Sequence, residues 1–352
     1  MLLFDAHLDL SMNAMDWNRD LRLPAEDLRQ GEAGMSDLPG RGNGTVTLPD
    51  MRRGEIGLCV ATLLAPTARP ENTTPGRNSP HQSWAHIRGQ ATWYEAMARE
   101  GEMRQIIDCE SLDAHLKAWE NGDRRIGYVL SLEGADPLVT VDYLEDAVGY
   151  GLRALGPAHF GPGRFANGTN ASGGLSEVGR ALVKRMDELG VILDVSHLCD
   201  EAFWDALEIY SRPVWASHTN SRTLVPHNRQ FSDQQYRALI DRDATIGVVA
   251  DCWMLKSGWK RYESSPAEEG ITLEAVADHV DHICQIAGNC WHVGIGSDLD
   301  GGFGREQSPA DLDTIADLQR VLEILRGRGY EEADLEAIAH GNFMRVLRAA
   351  WG

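Results

Sequence analysis

Eight short apolar runs, separated by much longer amphipathic stretches, constrain the fold of this 352-residue chain more than any other feature. Many of these runs are β-branched, which is typical of strands buried on both faces of a parallel sheet. The sequence therefore predicts eight such strands. The runs are Leu2–Phe4, Ile56–Leu64, Tyr128–Leu132, Leu152–Leu155, Val191–Val195, Val214–Ala216, Ile246–Ala250 and Val293–Ile295.

The stretches between the runs carry helical periodicity. One series of apolar residues, spaced three or four apart, predicts a helix that stops at Gly190, and a second predicts a helix that ends at Gly327 and Gly329. Strands that alternate with helices favour a single (β/α)8 TIM barrel over a doubly wound open sheet, because the polar residues described below collect at one end. The two series are Leu175, Val178, Leu182, Met186, Leu189 and Leu312, Ile315, Leu318, Leu322, Leu325.

Two segments interrupt this rhythm. Residues 11–48 are rich in Gly, Asp, Arg and Asn, and residues 65–82 carry four prolines, so both are predicted to be long loops. Each follows a predicted strand, which places it at the carboxyl-terminal mouth of a barrel, where active sites form. No linker divides the chain, so residues 1–352 are predicted to form one domain.

Composition excludes several classes of partner. The formal charge of −20, from 33 basic and 53 acidic residues, argues against nucleic acid, since phosphate binding needs a positive surface. No apolar run approaches the roughly 18 residues of a membrane span, and no signal-peptide pattern precedes Asp5 and His7. The six cysteines are scattered, as is typical of reduced thiols. We therefore expect a cytoplasmic protein without a membrane partner.

Polar residues follow six of the eight apolar runs directly. Because the carboxyl ends of parallel strands share one end of a barrel, these side chains should meet at its mouth. In a strand, His7 and Asp9 would point to the same face. The residues are His7 and Asp9, Glu133, His159, His197, His218, and Asp298 with Asp300.

Histidine and carboxylate together suit Zn²⁺ and similar divalent ions. The set is too large for one tetrahedral ion and fits two ions that share a carboxylate, for which Glu133 is the natural bridge. Two ions about 3.5–4 Å apart would activate a bridging water as the nucleophile. A single histidine at a strand end is more often structural, but six strand ends in concert favour metal. In the segment that holds Asp298 and Asp300, either aspartate could instead cap a turn.

Three further features lie outside this set. His279 and His282 lie three residues apart on a predicted helix, where a solvated face is favoured over a metal site. The Gly40–Gly44 segment follows no strand and is predicted to be a loop. Arg229 lies in the loop after the sixth strand, where its planar fork could bind a substrate carboxylate or form a surface salt bridge.

Taken together, these motifs resemble the membrane (renal) dipeptidases, a branch of the metal-dependent amidohydrolase-like barrels, from Asp5 to the end of the chain. The motifs are Asp5–Asp9, Ser131–Gly134, Leu193–His197, Ala216–His218, Val293–Gly301 and Gly341–Phe343.

The resemblance implies a role for each site residue. His7 and Asp9 would hold one zinc, and His197 and His218 the other. Glu133 would bridge the two ions and would also count among the catalytic residues. Asp298 would be the acid/base, His159 would polarise the scissile carbonyl, and Arg229 would receive the substrate carboxylate. The resemblance also implies a homodimer.

The chain departs from the family around the substrate pocket. Phe160 and Gly161 follow His159 where family members usually have polar residues, and Ala250–Met254 replaces an Asn- and aromatic-rich stretch. The sequence therefore predicts a dinuclear zinc hydrolase that cleaves dipeptides, L,D-dipeptides among the candidates, by attack of a metal-bridging hydroxide. The alternatives are a related hydrolase of another small amide or lactam, and a catalytically inactive binding subunit.

Overall fold

The computed structural model describes residues 1–69 and 76–352. Within these ranges the chain forms nine strands, all parallel in their pairings. Every predicted strand is present. The strands are β1 Leu3–Leu8, β2 Ile56–Leu63, β3 Met103–Gln105, β4 Ile126–Glu133, β5 Leu152–Gly156, β6 Ile192–Asp194, β7 Val214–Ala216, β8 Thr245–Val248 and β9 Val293–Ile295.

Eight of the strands close into a barrel. From β2 the order runs through β1, β9, β8, β7, β6 and β5 to β4, and β4 pairs back onto β2 from Leu58–Gly127 to Leu63–Leu132. This closure confirms the predicted TIM barrel and excludes the open sheet. The extra strand β3 pairs, among the described strands, with the start of β4 alone. It has three residues, two of them polar, so no apolar pattern marks it in the sequence.

Helices separate most of the strands and cover the barrel. They are α1 Leu10–Met15, α2 Ala25–Gly31, α3 Leu48–Arg53, α4 Pro80–Arg99, α5 Cys109–Glu120, α6 Tyr143–Gly149, α7 Glu177–Leu189, α8 Asp200–Ile209, α9 Asp233–Asp241, α10 Cys252–Leu255, α11 Leu273–Ala287, α12 Gln319–Gly327, α13 Glu332–Glu336 and α14 Asn342–Trp351. Short 3₁₀ turns span Arg305–Gln307 and Ile315–Leu318, and a π-helical turn spans Ala337–Gly341.

Both predicted helices form, with different starts. Helix α7 is capped by the Ser176 hydroxyl, which accepts from the Gly179 N–H, and it ends at Gly190, whose φ of 69° is left-handed. The second predicted helix begins instead as the 3₁₀ turn Ile315–Leu318 and continues as α12. Thr314 caps that turn, so Leu312 stays outside it.

The barrel interior changes character along its axis. At the amino-terminal end it is apolar, with one or two buried residues from each of six strands clustered with Phe343 of α14. Along β4 the inward face then passes from Val129 through Ser131 to Glu133, because alternate residues share a face. The polar end is therefore the mouth. The strand residues of the apolar cluster are Phe4, Ala6, Leu58, Val60, Val129, Ala154, Ile192 and Trp215.

The two predicted loop insertions contain helical structure. Residues 11–48 include most of α1 and all of α2, held by the buried ion pair of Arg19 with Glu32 at 2.8 Å. Asp300 accepts from the N–H groups of Thr45 at 2.8 Å and Val46 at 3.0 Å, so this aspartate fastens the insertion to the barrel. In 65–82, residues 70–75 lie outside the described part and α4 already begins at Pro80. The expectation of a plain loop was wrong for 11–48, because buried polar contacts, which composition does not reveal, hold short helices there. In 65–82 the described residues before Pro80 are loop, as predicted.

Among the described helices, none combines the length and the apolar character that crossing a membrane would require.

Candidate metal centre

The predicted site residues converge at the carboxyl-terminal mouth of the barrel. His7 lies near the end of β1 and Glu133 is the last residue of β4. The others follow their strands within three residues: His159 after β5, His197 after β6, His218 after β7 and Asp298 after β9. Asp9 comes directly after β1 and its backbone is no longer extended, so it reaches the site from a turn rather than from the strand face.

Glu133 stands at the centre of this cluster. Its Oε1 lies 2.8 Å from His197 Nε2, 3.3 Å from His218 Nε2 and 3.7 Å from His7 Nε2. The carboxylate is buried, as are the three histidines. One carboxylate oxygen therefore faces three imidazole nitrogens that come from three different strands.

The remaining distances define the two flanks of the cluster. On one flank, His7 Nε2 lies 3.8 Å from Asp9 Oδ2 and 3.8 Å from Asp298 Oδ1. On the other, the Nε2 atoms of His197 and His218 are 2.9 Å apart. Ser217 Oγ is 2.8 Å from His218 Nδ1, which leaves His218 Nε2 to point into the site.

Burial and close charges shift the pKa values of these groups. Burial raises the pKa of Glu133 to about 8 and that of Asp298 to about 7, and it lowers the pKa of His159 to about 4. Burial alone would lower the pKa of His7, but the charges of Glu133 and Asp9 outweigh it and raise the pKa to about 10. Acidic charge thus concentrates around His7.

These residues fit bound divalent cations. Three buried atoms of the cluster have no hydrogen-bond partner within the described chain: His7 Nε2, Asp9 Oδ1 and His197 Nδ1. Buried polar atoms are normally paired, so such atoms call for a further partner. Three overlapping sets of side chains bring their ligand atoms within 4.8 Å of one another. The sets are His7–Glu133–His218, Glu133–His159–His197 and His7–Asp9–Asp298.

Two buried aspartates, whose role is not apparent from the sequence, support the site from behind. Asp5 Oδ1 accepts from the N–H groups of His7 at 3.2 Å and Ser297 at 2.9 Å, which ties β1 to the segment after β9. Asp194 Oδ1 accepts from the N–H of Ser217 at 3.1 Å, which ties β6 to β7 in the same way. Their signal in the sequence is an aspartate two or three residues before a histidine.

A cavity of about 470 Å³ opens beside the cluster, a size typical of small-molecule sites. Arg229 is buried in its wall, where the guanidinium donates to the carbonyls of Ser196 and His218, both at 2.9 Å. The alternative of a surface salt bridge is therefore wrong for Arg229. The cavity is lined by Asp9, Met12, Leu64, Glu133, His159, Phe160, His197, Arg229, Asp251, Trp253, Met254, Arg261, Asp298, Gly301 and Gly302.

One histidine outside the cluster differs from expectation. His279 of α11 is buried rather than solvated, and its Nδ1 accepts from the Ser221 N–H at 3.0 Å. The inner face of α11 packs against the loop after β7, and helical periodicity alone does not reveal that contact. His282 instead lies 3.0 Å from Asp233.

The sequence left open whether Asp298 and Asp300 belong to the site or hold a turn, and the structure places one in each position. Asp300 is committed to backbone N–H groups of the insertion, whereas Asp298 lines the cavity and its side chain makes no hydrogen bond within the described chain. Both have positive φ values, 58° and 60°, so the turn after β9 is sharply bent at each of them.

A closed parallel barrel whose mouth gathers histidines and carboxylates defines a metallo-dependent hydrolase. Two solved structures share the fold over the whole chain with a TM-score of 0.80. One is the dipeptidase AC, a metallo peptidase of family M19, at 25% identity over 99% of that chain. The other, at 23% identity and 99% coverage, is a Rhodobacter sphaeroides metallo peptidase liganded with a phosphinate mimic of L-Ala-D-Ala.

The family follows from the sequence match. The model of the membrane dipeptidase family, Peptidase family M19, matches residues 1–351, and the chain belongs to that family of metallo-dipeptidases. An uncharacterised Klebsiella pneumoniae protein in the pqqA 5′ region is 32% identical over 57% of this chain and 73% of its own length. Dipeptidase tcpJ of Claviceps purpurea is 33% identical over 50% of this chain and 38% of its own length.

Proposed function

We propose that the protein is a dinuclear zinc dipeptidase that hydrolyses the single amide bond of dipeptides with a free terminal carboxylate. The observation that carries the proposal is the convergence of four histidines and three carboxylates in one cluster, five members of which line a cavity beside a buried arginine. Retention of every one of these groups at the mouth argues against an inactive binding subunit.

Two ions would be held by His7 and Asp9 on one side and by His197 and His218 on the other, with Glu133 between them. The central position of Glu133 Oε1, within 3.7 Å of three imidazole nitrogens, supports its bridging role. When bound, the ions would supply Lewis acidity and lower the pKa of a water molecule to near neutrality.

Asp298 would move the proton. Its Oδ1 faces the cluster, 3.8 Å from His7 Nε2, and burial raises its pKa to about 7. A carboxyl group with a pKa near the working pH can accept a proton from the attacking water and then donate it to the leaving amine. The free side chain of Asp298 on the cavity wall supports this assignment over Asp300.

His159 would stabilise the developing oxyanion. Burial lowers its pKa to about 4, so the imidazole is neutral at physiological pH and presents one N–H as a donor. The ring lies 4.7 Å from that of His197, at the edge of the cluster and on the cavity wall. A donor aimed at the scissile carbonyl oxygen strengthens its contact as charge develops there.

Arg229 would select for dipeptides. Two of its N–H groups are occupied by backbone carbonyls, which fix the plane of the guanidinium. A fixed cation at a set distance from the scissile bond would bind the terminal carboxylate of a dipeptide. The terminal carboxylate of a longer peptide would lie too far from that bond to reach the cation. The L-Ala-D-Ala mimic bound by the Rhodobacter sphaeroides protein supports dipeptides with a D residue at the carboxyl end as substrates here.

A panel assay tests the proposal. The zinc-loaded protein should hydrolyse L,L- or L,D-dipeptides and should act poorly on the corresponding C-terminal amides. Equal rates on a dipeptide and its amide would favour the broader hydrolase of small amides or lactams. Absence of turnover on every dipeptide, in protein that holds zinc, would refute the proposed function.

A further inference from the structure

A second arginine, Arg261, lies on the wall of the cavity, and the proposed mechanism gives it no role. Its side chain is 41% exposed. Its Nη2 lies 3.3 Å from Asp251 Oδ2, and the guanidinium carbon lies 5.4 Å from the centre of the Trp253 ring. The group is therefore held on two sides while the rest of its donors remain available to a ligand.

Asp251, whose carboxylate holds Arg261, is kept in place by contacts that do not involve Arg261. Asp251 is buried, and its Oδ1 accepts from the Trp253 N–H and from Gln307 Nε2, both at 2.8 Å. Asp251 therefore anchors Arg261 rather than the reverse. An arginine held in this way loses little side-chain entropy when it binds a planar anion.

The wall that carries Arg261 packs against the loop that carries Arg229. Gln230 Nε2 donates to the Met254 carbonyl at 2.6 Å, and the His227 ring lies 4.3 Å from the Trp253 ring. The two arginines are thus on adjoining parts of one cavity. The side chain of the residue whose terminal carboxylate meets Arg229 would extend along the wall of Trp253 and Arg261.

We propose that Arg261 binds a carboxylate on the side chain of the carboxyl-terminal substrate residue, so that dipeptides ending in aspartate or glutamate are preferred. This inference rests on the proposed dipeptidase function. A carboxyl-terminal aspartate or glutamate carries two carboxylates, the terminal one for Arg229 and the side-chain one for Arg261. Arginine is suited to this role because its planar fork pairs with a carboxylate through two parallel hydrogen bonds.

The test compares isosteric substrates. With zinc-loaded protein, kcat/KM is measured for Ala-Asp against Ala-Asn and for Ala-Glu against Ala-Gln, with both L and D carboxyl-terminal residues. The acidic member of each pair should be preferred by wild type, and Arg261→Gln should reduce the acidic-to-neutral ratio about 10- to 100-fold, the range of a charged hydrogen bond. Arg261→Lys should recover part of the ratio, because it keeps the charge and loses the fork.

The matched control is Lys260→Gln, which removes the same charge from the neighbouring residue, 72% exposed and outside the cavity lining. It should leave the ratio unchanged. The proposal is overturned if wild type shows no acidic preference, or if Arg261→Gln lowers all members equally, which would make Arg261 the site of the terminal carboxylate. Failure of the dipeptidase function itself is distinct, since then no member of the panel is hydrolysed by wild type.

Discussion

The metal centre and the cavity wall that faces it are built in opposite ways. The centre is largely buried, and its residues lie at the carboxyl ends of barrel strands or within three residues after them. The facing wall, from Asp251 to Arg261, lies in the long connection after β8 and is partly open to solvent. In the proposed function, the strands of the barrel would therefore position the catalytic groups, while a loop held by side-chain contacts would determine the choice of substrate.

The largest effect should come from removing the shared ligand of the centre. In the proposed dinuclear centre, Glu133→Ala would take one ligand from both ions, so we expect kcat on a dipeptide to fall by more than about 10⁴-fold, beyond the contribution of a single acid–base group. Added zinc should not restore activity. The matched control is Glu188→Ala on the surface of α7, which should behave as wild type. A Glu133→Ala enzyme within about 100-fold of wild type would contradict the central role of this carboxylate.

The proposed acid–base role of Asp298 should be separable from metal binding. Asp298→Asn is expected to keep most of the zinc and to lower kcat about 10²- to 10⁴-fold, because an amide cannot shuttle the proton. His159→Ala should lower kcat about 10²- to 10³-fold as an oxyanion donor. Both are measured by steady-state kinetics with metal content determined on the same samples. If the Asp298→Asn enzyme kept more than about a tenth of the turnover, Asp298 would be reduced to a structural role.

Arg229 lies where the centre meets the facing wall, and its effect should be intermediate. Arg229→Ala should lower kcat/KM on dipeptides about 10- to 150-fold, since a hydrogen bond to a charged group is worth roughly 1.5–3 kcal/mol. Much of the loss should appear in KM, because the carboxylate is held in both ground and transition states. Rates on dipeptide amides should change little and provide the internal control. Equal losses on acids and amides would point to a collapsed cavity instead.

Substitutions of the two aspartates after β9 should differ in their effect on the free energy of unfolding, because Asp300 holds the insertion and Asp298 is proposed to act in catalysis. Asp300→Ala leaves buried N–H groups of Thr45 and Val46 without acceptors and takes a carboxylate from Arg19, so we expect a loss of about 3 kcal/mol in the free energy of unfolding. Asp298→Ala should cost less than about 1 kcal/mol, because its side chain makes no hydrogen bond within the described chain. Urea unfolding of the two variants measures this, and equal losses would contradict the division of roles.

The last expected effect is small at neutral pH, grows only towards acidic pH, and concerns the loop that carries Arg229. Burial lowers the pKa of His279 to about 3, from an ordinary value of 6.5, while its Nδ1 accepts from the Ser221 N–H. Below pH 6.5 the unfolded chain takes up a proton that the folded chain refuses, so stability should fall as the pH drops from about 6.5 towards 3. His279→Gln should be less stable at about pH 7 and should show a shallower decline. A decline as steep as that of wild type would contradict this assignment.

The clustering of these histidines and carboxylates could be predicted from the sequence, because metal chemistry demands particular residue types at particular distances from strand ends. Histidine and carboxylate after six apolar runs are readable without coordinates, and so was the barrel that gathers them. The roles of Asp5 and Asp194 were not readable, because a buried carboxylate that binds backbone N–H groups is selected by tertiary contacts. Arg261 was missed for the same reason: only the packing of Asp251 and Trp253 places it in the cavity.

The most direct test of the central claim is the zinc content of the purified protein after saturation with zinc and removal of the unbound ion. Elemental analysis against protein concentration should give close to two ions per chain, and Glu133→Ala should retain fewer than Asp298→Ala. Two ions per chain require ligands on both sides of Glu133, His7 and Asp9 on one side and His197 and His218 on the other. One ion per chain at saturation, or none, would contradict a dinuclear centre built around Glu133.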